Sequence, residues 1–266
     1  MSAASDVYKR QMINIEHTEE NMQLLLNFCG EVGRTLLANG AETFRIEDTI
    51  ERVAKCYIDC EAEVFATTTS IFMSINVDGN TYSKIIRHRR PSTKLNKVDE
   101  VNTFSRELAI NQPPLKTSMD RILKIQNSKD WSYLFRGFAS GVTSSFFSLM
   151  FGGDFLDFLA AFIIGFISFV LLERPLKIEL PVFIYNLIAG LISSILAGIL
   201  FNLGLGSNVD MIIIGAIMPY VPGISITNSI RDLFMGEFVS GTMLFVQAVA
   251  TAIAIALGAV LGLQLF

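Results

Sequence analysis

The spacing of apolar positions changes twice along the chain. From Thr18 to Asn39, Met22, Leu25, Leu26, Cys29, Val32, Leu36 and Leu37 recur at helical intervals. Thr18 stands where an N-cap belongs, Glu19 and Glu20 occupy the first turn, and Gly40 follows in the place of a C′ glycine. A second helix is predicted over about 42–57, with Phe44, Ile46, Ile50, Val53, Ala54 and Tyr57 inward. The period then drops to two. Glu61–Ala66, Ser70–Val77 and Thr81–Ile86 read as strands, and Asp78-Gly79 is a hairpin signal. Pro91-Ser92 breaks the chain, and two more helices follow at about 95–110 and 114–127, the second after Pro113-Pro114. The order helix–helix–β-meander–helix–helix predicts a small α+β domain.

Beyond Trp131 the pattern becomes long apolar runs. Residues 137–153 and 158–172 carry no charge, and 181–209, 211–230 and 238–266 are uncharged too. About 20 apolar residues cross a bilayer as a helix, so spans are predicted near 134–152, 155–173, 181–203, 208–222 and 238–264. The fold class is therefore an α+β cytoplasmic domain (12–130) followed by an all-α transmembrane bundle of about five helices (131–266). Residues 1–11, which precede a second methionine, are read as a non-native leader.

Charge sharpens this division. Of the 21 Lys and Arg residues, 17 precede Trp131, as do 18 of the 25 Asp and Glu residues. A water-facing surface cannot be as poor in charge as the second half. Lys and Arg also set orientation. Arg136, Arg174 and Lys177, and Arg231 all fall at one end of the predicted bundle. That end, with the polar domain, is expected in the cytoplasm, and five spans then put the C-terminus outside the inner membrane. No basic stripe with interleaved aromatics suggests nucleic acid.

Candidate chemistry is sparse. Cys29, Cys56 and Cys60 form no CxxC pair, although Cys56 and Cys60 lie at i, i+4, and the two histidines, His17 and His88, are distant in sequence. Reduced structural thiols are expected, with no metal and no cofactor. The polar half has one possible site. Arg45 and Glu47 lie on the second helix, and Thr67, Thr68 and Thr69 form a hydroxyl run, with Arg87–Arg90 beyond. Threonines are also good strand formers, the charged groups also read as a solvated face, and Arg87–Arg90 could meet anionic headgroups. No catalytic motif is present, so no catalytic residue is assigned.

The bundle carries stripes of small residues: Gly137 and Gly141, Gly190, Ser194 and Gly198, and Ala250, Ala254, Gly258 and Gly262. These let helices approach closely. The informative stretch runs Pro219-Tyr220-Val221-Pro222-Gly223-Ile224-Ser225-Ile226-Thr227-Asn228-Ser229-Ile230-Arg231-Asp232. Two prolines three apart remove two backbone donors and break the fourth helix. Backbone freed within a bilayer is tolerated where protein buries it or where it lines a water-filled cavity, and transporters bind substrate at such breaks. Pro219, Pro222 and Gly223 would then hold an unwound segment, with Ser225, Thr227, Asn228, Arg231 and Asp232 along a substrate path. The other reading is a Pro-Gly turn at the interface followed by an amphipathic helix.

The block "MPYVPGISITNSIRDLFMGEFVSGT" (218–242) is similar to the P-x-x-PG…N-x-I-R-D…G…G signature of the threonine/serine exporter family. The order of parts agrees: a polar domain with the helix "GAETFRIEDTIERV", a "DG" hairpin, then the apolar spans. The resemblance covers about 18–266. Family members occur as fused chains of about ten spans or as split pairs. This chain resembles the larger subunit of the split form, whose partner is a small second membrane subunit of four or five spans; a homo-oligomer is the other arrangement. The resemblance implies a secondary exporter of threonine/serine-like amino acids or small dicarboxylates, coupled to protons, and not an enzyme. The rivals are a membrane-anchored hydrolase-like protein with its site in 40–90 and a scaffold that regulates another transporter.

Overall fold

The computed structural model describes residues 16–88, 92–173 and 180–266. The expected leader at 1–11, Arg89 and Arg90 of the basic cluster, the Pro91 break, and the 174–177 connection with Arg174 and Lys177 lie outside the described residues. The chain divides into two compact units. One holds the residues up to Lys129 together with Asn228–Leu244, and the other holds Asp130–Thr227 with Phe245–Phe266.

The first unit begins with helices α1 (Glu19–Ala38) and α2 (Thr43–Lys55). The Thr18 side chain accepts from the backbone N–H of Asn21 at α1's first turn. Strands β1 (Glu61–Ala66), β2 (Ser70–Val77) and β3 (Asn80–Arg87) form an antiparallel meander in the order β1-β2-β3. Asp78 and Gly79 take positive φ of 50° and 80°, as the hairpin between β2 and β3 requires. Helices α3 (Leu95–Asn111) and α4 (Leu115–Gln126) complete the core. One sheet face, with Ala66, Ile71, Met73, Ile75 and Ile86, is buried against these helices. The Phe28 ring meets Tyr57 and Phe104 edge-on, and the Tyr57 hydroxyl reaches Ser118 Oγ at 2.6 Å. Gly33 permits the tightest approach, since a Cβ there would lie 2.6 Å from Ile50 Cδ1. Cys29 and Cys56 are buried thiols of this unit, and burial pushes Cys29 far up, as suits a structural residue.

The second unit is helical: α5 (Tyr133–Met150), α6 (Phe155–Leu172), α7 (Val182–Asn202), α8 (Val209–Ile217) and a 3₁₀ turn over Met218–Tyr220. The chain continues through α9 (Gly223–Met235) and α10 (Phe238–Leu263), each of which crosses from one unit to the other. Three described helices, α6, α7 and α10, are long and apolar enough to cross a membrane, and the count becomes four if the bent pair Val209–Tyr220 and Gly223–Met235 is one span. Helix α5, read from sequence as the first span, has 18 residues but carries Arg136 and Ser140, Ser144, Ser145 and Ser148. The fourth predicted span stops at 222 in sequence terms; in the structure the helix resumes at Gly223 after a 56° bend.

Small residues set the packing. A Cβ at Gly141 would press on the Phe162 carbonyl oxygen at 2.9 Å, which brings α5 against α6. Gly190 and Gly258 let α7 and α10 meet backbone to backbone, Gly190 at the Ile255 carbonyl and Gly258 at the Leu187 carbonyl. A second tie is polar. Asp157, 1% exposed, accepts backbone N–H bonds from Ser207 (2.8 Å), Asn208 (2.9 Å) and Asp154 (3.0 Å), and so joins the α5–α6 turn to the α7–α8 turn. In the sequence Asp157 is marked only by its place just before the uncharged run 158–172.

Gly258→Ala should lower the thermal midpoint of the purified protein in detergent, by overpacking worth about 1–3 kcal/mol. Gly223→Ala, with no described atom within 4 Å of its Cβ, should leave that midpoint unchanged. Equal tolerance of both substitutions would count against the close α7–α10 packing.

Candidate functional site

The break between α8 and α9 follows from its prolines. Pro219 sits in the 3₁₀ turn, and Val221, held before Pro222, is extended at φ −62°, ψ 131°. Its N–H reaches the Met218 carbonyl at 3.1 Å, and the Gly223 N–H reaches the Val221 carbonyl at 2.8 Å. The segment is thus hydrogen-bonded through tight turns in place of helix. Tyr220 fixes it sideways. Its hydroxyl donates to Ser168 Oγ on α6 at 3.1 Å, and its ring meets Tyr185 of α7 edge-on at 6.4 Å. Sequence reading passed over Tyr220 and Ser168; an aromatic hydroxyl between two prolines was the available signal.

Past the break, α9 has two faces. Ser225 and Asn228 are half-buried, and Ser229 and Asp232 are fully buried along the same stripe. Thr227 lies on the exposed face and bonds back to the Gly223 carbonyl at 3.0 Å, so it stands apart from that stripe. Ile224, Ile226, Ile230 and Phe234 share the exposed side.

The last turns of α9 pack within the first unit against α2. Thr43 Oγ1 donates to Asp232 Oδ2 at 3.1 Å, while Asp232 Oδ1 is buried without a described partner. The Arg231 guanidinium pairs with Glu42, which also accepts from Arg45 Nε at 3.2 Å. Glu47, one turn further along α2, accepts the Ala66 N–H at 2.7 Å, and Ser240 Oγ donates to the Ala66 carbonyl at 3.3 Å. The Glu47 carboxyl is pushed up, chiefly by burial; the Ala66 N–H opposes this, and nearby Glu237, Glu51 and Asp232 add to it.

The structure therefore joins residues that the sequence kept in two groups. Arg45 and Glu47 of the polar half come together with Arg231 and Asp232 of the Pro-Gly block, through Glu42 and Thr43, which sequence reasoning missed. The hydroxyl run goes elsewhere. Thr67 Oγ1 accepts the Ser70 N–H at 3.0 Å and closes the β1–β2 turn, the Thr69 carbonyl accepts from His88, and Thr68 Oγ1 points to Met243 Sδ at 3.9 Å. These threonines form the turn between β1 and β2 and lie outside both strands.

Comparison with known proteins decides the family. The threonine/serine exporter model, ThrE, matches residues 27–266. The chain belongs to the threonine/serine exporter family. It is 23% identical over 250 residues to a threonine/serine exporter of Corynebacterium glutamicum, a match covering 91% of this chain and 51% of that protein. The chain thus spans about half the length of this curated relative. No solved structure matches. The family is one of transporters, and with the apolar helices it makes this chain a multi-pass protein of the inner membrane.

Glu47→Gln keeps the acceptor for Ala66 and removes the charge. A carboxyl raised in the folded state contributes stability that is present at low pH and lost as pH rises through its folded value. At neutral pH the Gln variant should therefore melt higher than wild type, with the gap closing as pH falls through the raised Glu47 value. A gap independent of pH would show that Glu47 is not destabilised by its surroundings.

Proposed function

We propose that the chain is the domain-bearing subunit of a secondary exporter that moves threonine/serine-like amino acids out of the cytoplasm. The observation that carries the reading is the helix break at Pro219–Gly223 followed by the polar stripe Ser225–Asn228–Asp232. Asn228 offers a donor and an acceptor, which suits the carboxylate and ammonium of an α-amino acid without burying a further charge. Ser225 and Asn228 line the path, Pro219, Pro222 and Gly223 shape it, and Thr227 stands at its margin. Arg231 and Asp232 couple that path to the polar domain, through Glu42 and Thr43. Glu47 and Asp232 are the carboxylates proposed to take up a coupling proton.

In this reading α5 is a fifth span, the polar domain is cytoplasmic, and the C-terminus lies outside. The relative is about twice as long as the region matched, and this reading takes a second bundle to complete the path: a small membrane subunit of four or five spans, or a further copy of this chain.

The test is efflux from vesicles holding the chain and its partner. Asn228→Ala should cut threonine efflux by about tenfold, corresponding to roughly 1.4 kcal/mol of lost hydrogen bonding, with insertion unchanged. Arg231→Lys should act mildly, because its guanidinium grips Glu42. Wild-type export by both Asn228→Ala and Ser225→Ala would move the path away from the break, and export of succinate in place of threonine would overturn the substrate class. Reporter fusions at Trp131 and Phe266 should give opposite signals, and same-side signals would remove the five-span topology.

A further inference from the structure

The two edges of the three-stranded sheet are treated differently. At Ala66 the backbone N–H goes to Glu47 and the carbonyl accepts from Ser240, so this residue turns its backbone groups away from β2. Antiparallel pairs alternate, so Ala62 and Val64 do the same, while Glu61, Glu63 and Phe65 bond β2. Phe72, opposite Phe65, therefore turns to β1, and Ile71 and Met73 turn to β3. It follows that Tyr82, Lys84 and Ile86 bond β2, and that Thr81, Ser83, Ile85 and Arg87 point their N–H and C=O away from the sheet. The β1 edge is packed by α2 and closed by Glu47 and Ser240. The β3 edge is open. Among the described residues no backbone group bonds Thr81, Ser83, Ile85 or Arg87 from outside, and all four are exposed, Ile85 at 69%.

Proteins blunt such an edge with a bulge, a proline, a short strand or charge along it. Strand β3 has eight residues without proline, and its register runs unbroken from Asn80 opposite Val77 to Arg87 opposite Ser70. Its lysine does not guard the edge, because Lys84 Nζ donates to Asn27 Oδ1 of α1 at 2.7 Å, and Arg87 stands only at the strand's end. A second β3, related by a two-fold axis, fits this edge. Only a residue with outward backbone groups can lie on the axis. Ser83 is the one that pairs the strand over nearly its whole length, residues 80–86 against 86–80, and an axis at Thr81 or Ile85 shortens the pairing within β3. With Ser83 on the axis, Thr81 meets Ile85 and Tyr82 meets Lys84, and no like charges stand opposite each other. Arg87 comes beside Gly79 of the second copy, next to the exposed Asp78 carboxylate that His17 also reaches. The two-fold axis repeats this charge complementarity at both ends.

We propose that the β3 edge joins two copies of this chain, pairing antiparallel about Ser83 and doubling the three-stranded sheet into one continuous sheet. The inference concerns the polar unit alone and is independent of what is transported and of what completes the path. Ser83→Cys is made in the full chain in detergent, and the wild-type chain, with its own Cys29, Cys56 and Cys60, gives the background. Residues opposed on the axis have Cα atoms about 5.5 Å apart, within the disulfide reach of about 4.4–6.8 Å. Mild oxidation should therefore convert the Ser83→Cys chain to a covalent dimer on a denaturing gel. Thr81→Cys and Ile85→Cys, each about 14 Å from its own counterpart at about 3.4 Å per residue, should stay monomeric alone and give a dimer when coexpressed. A Ser83→Cys chain that takes up a maleimide dye and stays monomeric would overturn the proposal. So would a Ser83→Cys thiol closed to dye and oxidant alike, which would mean that another segment or protein covers the edge. Dimers of Thr81→Cys alone, formed as readily as those of Ser83→Cys, would show collision in place of the register and overturn it too.

Discussion

A helix cannot carry two prolines three residues apart and keep its hydrogen-bond ladder, and much of the second half of this chain is arranged around that restriction. At Pro219 and Pro222 the backbone turns to short-range bonds and bends by 56°. The bend needs a fixed direction, and Tyr220 supplies it by bonding to Ser168 and packing on Tyr185. Past the break, Ser225, Asn228, Ser229 and Asp232 share one stripe of α9, and within the first unit its last turns meet α2 through Asp232 and Thr43.

The junction with α2 combines favourable and unfavourable groups. Arg231, Glu42 and Arg45 form a chain of alternating charge at the edge, while Asp232 and Glu47 lie deeper, with Glu237 close to both. A half-satisfied buried carboxylate is costly. Groups held at such a cost cluster at functional sites, which is the physical interest of the α2–α9 contact.

Much of the architecture was legible in sequence because its signals are local. Thr18, Gly40 and Asp78-Gly79 mark boundaries through backbone chemistry that needs no tertiary partner, and the apolar runs after Trp131 mark helices by length. Helix α9 was only half legible, since a Pro-Gly pair predicts a break without saying whether helix resumes. The contacts Thr43–Asp232 and Glu42–Arg231 join residues 189 positions apart, and no periodicity encodes such a pairing. Asp157 was missed for the same reason: its three donors come from two loops, one of them about fifty residues away. The threonine run was read both as a site and as a sheet edge, and it forms the turn between β1 and β2 that the Thr67 hydroxyl closes.

The compact polar unit is not continuous in the chain, because Asn228–Leu244 belongs with the residues up to Lys129. During synthesis the ribosome must therefore make about a hundred further residues, taking roughly 5–20 s at ordinary rates, before the segment that faces α2 exists. For that interval Glu42, Thr43 and the Ala66 carbonyl lack their later partners, while the intervening helices are already being delivered to the membrane. Maturation of the polar unit is thereby made conditional on insertion: the domain made first is completed only after the apolar helices that follow it have emerged.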